Sequence, residues 1–227
     1  MTRITKHLVN LQTRIGKACA ACGRNENDVS ILAVSKRHDV DAVRDAHKAG
    51  LNAFGENYLQ EALPKIAKSP ADIRWHFIGR LQSNKTRAIA EHFDWVQTVT
   101  SAKVAERLNA QRSTEATPLN ICLQVDTDAG AGHGGVHLDA AAALCARIIE
   151  LPRLRLRGLM TIPLPAETET EKRRPLQACK TLFDDLRVKG FDLDTLSMGM
   201  TSDLEIAIEE GSTMVRIGTA LFGARPE

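Results

Sequence analysis

The chain has 227 residues, of which 43% are hydrophobic and 26% charged, and its 30 basic and 28 acidic residues leave a net charge of +2. That balance excludes the strongly basic footprint of a nucleic-acid binder or a polybasic membrane anchor, and no apolar run approaches the length of a bilayer span. The length suffices for one large domain or two small ones, either with a real hydrophobic core.

In chain order, the opening MTRITKHLVN carries charge without an apolar core behind it, so no cleaved secretory signal is expected. The segment ITKHLVNLQTRIGKACAACG has a helical period and precedes the first strand pattern, which reads as an extra helix closing the bottom or side of the fold. The five cysteines, Cys19, Cys22, Cys122, Cys145 and Cys179, are an odd, scattered set, so reduced thiols in a cytoplasm are expected. CAAC at 19 to 22 has redox and half-zinc spacing, but no second CxxC accompanies it, and it reads as small residues in a helix.

Short apolar, β-branched runs then alternate with helical segments. The predicted strands are SILAVS (30–35), NAFGE (52–56), RWHFIG (74–79), WVQTV (95–99), NICLQVD (120–126), LRLRGLM (154–160), TLSMG (195–199) and MVRIGTALF (214–222). Between them lie helical patterns such as DVDAVRDAHKAG, NKTRAIAEHF, SAKVAERLNAQR and LDAAAALCARIIEL, several ending in glycine or meeting proline. Eight repeated strand and helix units predict a parallel sheet closed into a (β/α)8 TIM barrel, better than an open doubly wound sheet, with residues 1–227 as one domain. PLPAETETEKRRP (163–175) reads as a long mobile loop leading into a helix.

In such a barrel the chemistry sits at the C-terminal ends of the strands. Lys36, Glu56, Asn57, His76, Arg80, Asp126, Met160, Thr161, the stretch Ser197 to Ser202 and Arg216 to Thr219 all fall near those ends. Lys36 is either the start of a solvated loop or an amine held at a pocket rim to form an imine with a carbonyl. SMGMTSDLEIAI and VRIGTALFG place hydroxyls and glycines where barrels gather N–H groups around a phosphate, although Gly199, Thr201 and Ser202 would equally form and cap a turn. DAGAGHGGV (128–136) lacks the Gly-Lys-Ser/Thr ending of a phosphate loop and reads as a flexible turn. The glycines between His133 and His137 argue against a helical ligand pair, so no metal is expected. Arg216, flanked by Val215 and Ile217, needs a partner, and an ion pair to Glu205 or Glu210 is one way to satisfy it.

The strings AVSK, FGENYLQE, WHFIGRLQSNK, LRLRGLMTIP, SMGMTSDLEIAI and GSTMVRIGTALFGAR, running in order from about Ile31 to Arg225, resemble the YggS/PROSC family of pyridoxal-phosphate-binding proteins. The resemblance implies the fold of the N-terminal barrel of alanine racemases. It implies that Lys36 holds pyridoxal 5'-phosphate as a Schiff base and that Ser197, Met200, Thr201, Gly218 and Thr219 hold the phosphate. It also implies that Arg216 faces the pyridine nitrogen and that Asn57, His76 and Met160 belong to the site. An arginine there disfavours a protonated pyridinium and weakens the cofactor as an electron sink. The chain departs from the family after the fifth predicted strand, where Asp126 stands for a common asparagine and His133 for a frequent lysine.

The implied role is cytoplasmic: holding, buffering or passing on the cofactor in vitamin B6 and amino-acid homeostasis, without catalytic turnover. The partners implied are the small molecule and pyridoxal-phosphate-dependent apoenzymes, and a monomer is expected. Two other readings remain open at this level. A racemase would need a second base across the substrate, and the one tyrosine, Tyr58, lies on the same barrel. A cofactor-free aldolase would use Lys36 as its nucleophile, with Arg216 and the phosphate turns binding a sugar phosphate.

Overall fold

A computed structural model of the chain describes residues 2–128, 130 and 132–223. The last two residues of GSTMVRIGTALFGAR lie outside the described residues. The elements run α1 (Arg3–Ala21), β1 (Ser30–Val34), α2 (Val40–Lys48), β2 (Ala53–Glu56), α3 (Leu59–Lys68), β3 (Arg74–Phe77), α4 (Thr86–His92), β4 (Trp95–Val99), α5 (Ala102–Gln111) and β5 (Leu119–Asp126). They continue with β6 (Val136–His137), α6 (Leu138–Ile149), β7 (Leu154–Met160), α7 (Glu169–Val188), β8 (Thr195–Ser197), α8 (Leu204–Glu209), β9 (Met214–Ile217) and α9 (Thr219–Phe222).

Eight of the strands form a closed parallel ring in the order β1, β2, β3, β4, β5, β7, β8, β9 and back to β1. The two-residue β6 only extends the end of β5. This is the (β/α)8 barrel that the alternating pattern predicts, because each parallel pairing requires a crossover, and the helices supply it.

Strand alternation sorts the side chains into two layers. Outward positions such as Ala33, Phe54, Phe77, Val96, Ile121 and Leu159 join the helices in the main apolar core. Each fully buried large side chain there contributes about 1.5–3 kcal/mol relative to exposure. The inward layer holds two small apolar clusters, Leu32, Val34, Ile78 and Met214 in one and Trp95, Cys122 and Met160 in the other. Among them lie buried polar groups: His76, Gln97, Gln124, Ser197 and Arg216.

Helix α1 buries Ile4, Leu8, Leu11, Ile15 and Ala18 at helical spacing and lies along the side of the barrel. It is fastened to α8 by Arg14 and Glu205 at 2.7 Å, and to α9 by His7 Nδ1 and the Leu221 carbonyl at 2.8 Å. In MVRIGTALF one long strand is expected, but pairing stops at Ile217. Gly218, with φ −108° and ψ −84°, leaves the extended region, and its carbonyl accepts from the amides of Leu221 and Phe222, so the remainder coils into α9. The second half of PLPAETETEKRRP is likewise helical, because Thr168 and Glu171 form a reciprocal cap that starts α7 at Glu169.

Candidate functional site

Strand β1 ends at Val34, and Lys36 sits in a four-residue turn closed by the His38 amide donating to the Ser35 carbonyl at 3.1 Å. Arg37, third in that turn, has φ +64°. Positive φ at the third position is the type II arrangement, which normally takes glycine. The conformation is held by Glu61 of α3, whose Oε2 accepts from the Arg37 amide at 2.8 Å. Alternation along Leu32 and Val34 brings Lys36 to the inward side of the strand end, half-buried.

Outside the ring, directly behind this turn, lies a buried polar cluster. Lys65 Nζ donates to Glu56 Oε1 at 2.7 Å and to the Ser35 carbonyl at 2.9 Å, while Ser35 Oγ donates to the same Glu56 oxygen at 2.6 Å. Burial pushes the Glu56 carboxyl above its usual range, and the hydrogen bonds from Lys65 and Ser35 pull against that shift. The cluster ties β1, β2 and α3 together one residue before Lys36.

Inside the ring, Arg216 is 5% exposed. Its Nη1 donates to the Ser197 carbonyl at 2.7 Å and to Ser197 Oγ at 3.0 Å, and its Nη2 donates to the Thr161 carbonyl at 2.7 Å. The ion pair to Glu205 or Glu210 that the sequence leaves open does not form, since those carboxylates lie outside the barrel and bind Arg14 and Arg173. Burial lowers the guanidinium to about 10, which leaves it charged at neutral pH.

Ser197 Oγ, accepting from Arg216, donates in turn to Gln97 Oε1 at 2.7 Å. The Gln97 Nε2 group donates to His76 Nδ1 at 3.0 Å and to Met214 Sδ at 3.1 Å. His76 is therefore an acceptor at Nδ1, and its proton is at Nε2. Burial lowers this imidazole to about 3, so it is neutral at pH 7. Its ring stacks on Trp95 with centroids 4.9 Å apart.

A cavity of about 710 Å³ opens at the C-terminal strand ends, with Asn57, Arg80, Thr98, Gln124, His133 and Ile162 in its wall. Gly79 in its wall lets the Asn57 backbone approach closely: a Cβ there would meet the Asn57 carbonyl oxygen at 2.0 Å. Asn57 Oδ1 is buried without a hydrogen-bond partner among the described residues. Of the residues the sequence places at the strand ends, Asn57 and Arg80 line this cavity, and Asn57 alone of those the resemblance assigns to the cofactor, whereas Met200 lines a neighbouring one of about 290 Å³ with His133 and Asp203.

Lys36, Thr201, Gly218 and Thr219 fall on adjoining strand ends, because β9 pairs with both β1 and β8. Arg216 links the two turns further, its amide donating to the Gly199 carbonyl at 3.0 Å. Gly199 has φ +92°, which a side chain rarely adopts. The Met200 amide donates to Asp203 Oδ1 at 2.8 Å, and the Ser197 hydroxyl is committed deep in the barrel. Both donors are thus engaged within the protein, by Asp203 and by Gln97. Met160 is fully buried beside Trp95 and Cys122.

The loop after β5 is not a free turn. The Asp126 carboxylate accepts from the amides of Asp128 and Gly130, and Gln124 Nε2 donates to the carbonyls of His133 and Gly134. Ala129 and Ala131 in DAGAGHGGV lie outside the described residues. CAAC ends α1, with the Cys22 thiol donating to the Ala18 carbonyl, and burial raises the Cys145 and Cys179 thiols to about 12. Among the described residues no group of three metal-ligating side chains comes together.

Sequence reasoning missed Gln97, Glu61 and Lys65. Gln97 carried a signal, being a polar residue two positions after Trp95, on the same face of a buried strand. Lys65 carried one also, three residues after Ala62 on the buried stripe of α3. Glu61 showed none.

The family model for the alanine racemase N-terminal domain matches residues 7–226. The pyridoxal phosphate homeostasis protein of Pseudomonas aeruginosa is 50% identical over 226 residues, covering 99% of this chain and 97% of that one. The structure of PipY from Synechococcus elongatus with pyridoxal phosphate bound superposes with a TM-score of 0.85 at 35% identity, over 97% of this chain and 100% of that one. Alanine racemase of Clostridium difficile shares the fold, with a TM-score of 0.80 at 16% identity, and this chain spans 57% of its length.

Proposed function

We propose, from the premise that the chain belongs to the alanine racemase N-terminal domain family and within it to the pyridoxal phosphate homeostasis proteins, that it binds pyridoxal 5'-phosphate at the barrel mouth. The observation that carries this reading is the convergence of Lys36, Arg216 and the turns after β8 and β9 on adjoining strand ends.

When bound, the cofactor supplies an aldehyde that a lysine amine takes up as a Schiff base. Lys36 provides that amine from a turn fixed by Ser35 and Glu61. Arg216, locked by Ser197 and Thr161, donates toward the pyridine nitrogen. Thr201, Gly218 and Thr219 hold the phosphate, with Met200 covering it by its exposed side chain. Ser197 serves the ring end of the site through Arg216. Asn57 Oδ1, the buried acceptor without a partner among the described residues, takes a ligand hydroxyl, while His76 and Met160 form the floor.

The role is to hold and release the cofactor for homeostasis, with apoenzymes as recipients, and not to turn over a substrate. The whole chain, residues 1–227, acts as one binding unit, as a cytoplasmic monomer. No described helix is long and apolar enough to cross a membrane.

The test is the visible absorption of protein incubated with pyridoxal phosphate, followed by borohydride reduction and peptide mapping. The expected result is a pyridoxal imine band and a single label on Lys36. Absence of the band, or a label of equal stoichiometry on another lysine, overturns the assignment.

A further inference from the structure

Gln97 lies on β4, outside the set of residues that would touch the cofactor, yet it joins His76, which belongs to that set, to Ser197, which holds Arg216. Its amide is saturated: Oε1 accepts from Ser197, and Nε2 serves both His76 Nδ1 and Met214 Sδ. Arg216 has only donors, so Ser197 Oγ accepts from it, and the hydroxyl proton goes to Gln97 Oε1, the one acceptor it reaches among the described residues. With its oxygen on Ser197, Gln97 turns its nitrogen to His76 Nδ1, and the imidazole then carries its proton on Nε2.

An amide suits this position because it is an acceptor at one end and a donor at the other and cannot ionise. A carboxylate would accept at both ends, and an apolar side chain would serve neither. The charged groups around His76 are Arg74 on its own strand, Arg157 on β7 over the Trp95 ring at 4.8 Å together with its ion-pair partner Asp194, and Arg216 at the far end of the chain. The Asp194 carboxylate is engaged by Arg157 and by the Thr195 hydroxyl, and the charge that acts on the ring is the cation Arg74, which disfavours a second proton there.

We propose that Gln97 is a positioning residue of the cofactor site: acting through Ser197 and His76, it holds Arg216 in place and fixes the imidazole as the Nε2–H tautomer, so that the ring end of the site offers donors only. The functional part rests on the cofactor reading above, whereas the tautomer is a property of the protein alone.

The test uses the full chain labelled with 15N-histidine, without cofactor, at pH 7. The expected spectrum shows His76 neutral with its proton on Nε2, and a proton on Nδ1 overturns the proposal. In Gln97→Met the imidazole loses its donor, so both tautomers are expected. A single unchanged Nε2–H form in the folded variant overturns the proposal. Pyridoxal phosphate is expected to bind Gln97→Met about tenfold more weakly, the scale of a lost hydrogen bond that orients a charged group. Affinity unchanged in the variant overturns the positioning role. If Gln97→Met fails to fold, the wild-type spectrum alone decides. Failure of the wild type to bind pyridoxal phosphate would instead remove the cofactor reading and leave the tautomer result standing.

Discussion

The amide of Arg37 donates to Glu61 Oε2 at 2.8 Å, and Arg37 is the only non-glycine residue with positive φ among the described residues. A strained residue beside Lys36, held by a carboxylate from the next helix, is the kind of backbone outlier that gathers at binding sites. Left-handed backbone costs an ordinary residue about 1–2 kcal/mol. Arg37→Gly is therefore expected to keep or raise the melting temperature, and Arg37→Val to lower it. Glu61→Ala is expected to weaken cofactor binding by loosening the turn, measured by titration of the imine band; unchanged binding would separate the strain from the site.

The buried pair of Lys65 and Glu56 predicts a large asymmetry between single and double variants. Lys65→Met leaves Glu56, which is 0% exposed, without its cation, and breaking a buried pair in this way costs about 3–5 kcal/mol. Adding Glu56→Gln is expected to restore most of that loss. Urea denaturation of the three proteins checks it, and a Lys65→Met cost below about 1 kcal/mol would show that water reaches the carboxylate.

His76 predicts an acid sensitivity. Its folded value is lowered to about 3 by burial, against about 6.5 in the unfolded chain. Between those values the unfolded chain binds a proton that the folded protein refuses, so stability is full above about pH 6.5 and is lost as pH falls, by about 1.4 kcal/mol per unit. The stability of His76→Phe, measured by denaturation at each pH, is expected to lack this component. Parallel curves for the two proteins would mean that the folded imidazole takes up the proton after all.

The turns after β8 and β9 predict dependence on the phosphate. Pyridoxal without its phosphate is expected to bind at least about tenfold more weakly than pyridoxal 5'-phosphate, because charge-assisted hydrogen bonds to the anion are lost. Equal dissociation constants by equilibrium dialysis would show that Thr201, Gly218 and Thr219 only shape the turns.

Racemisation of amino acids is expected to be negligible. It requires an acid and a base on opposite faces of Cα. The one tyrosine of the chain, Tyr58, is 46% exposed beyond β2, on the same barrel as Lys36. Cofactor-loaded protein mixed with L-alanine in deuterium oxide is expected to show no Cα deuteration near about 1 per second, an ordinary enzyme rate. Exchange at that rate with D-alanine formed alongside it would make the protein a racemase.

The sequence by itself determined the barrel and its rim. Eight short β-branched runs separated by amphipathic helices allow few arrangements, and the strand ends of that pattern place Lys36 and Arg216 on one rim. It did not determine where MVRIGTALF breaks, because Gly218 interrupts the strand by a backbone rotation that composition leaves open. It also left the partner of Arg216 open between a carboxylate and something else. Only the closed ring decided that, since bending the sheet until β4 meets β5 sets Gln97 across from Ser197, 100 residues away, and buries both from the charged groups outside. Likewise Glu61 and Lys65 look like ordinary charges on a helix until α3 docks behind β1 and β2. Their roles come from contacts across 24 and 30 residues of chain, which local periodicity does not encode.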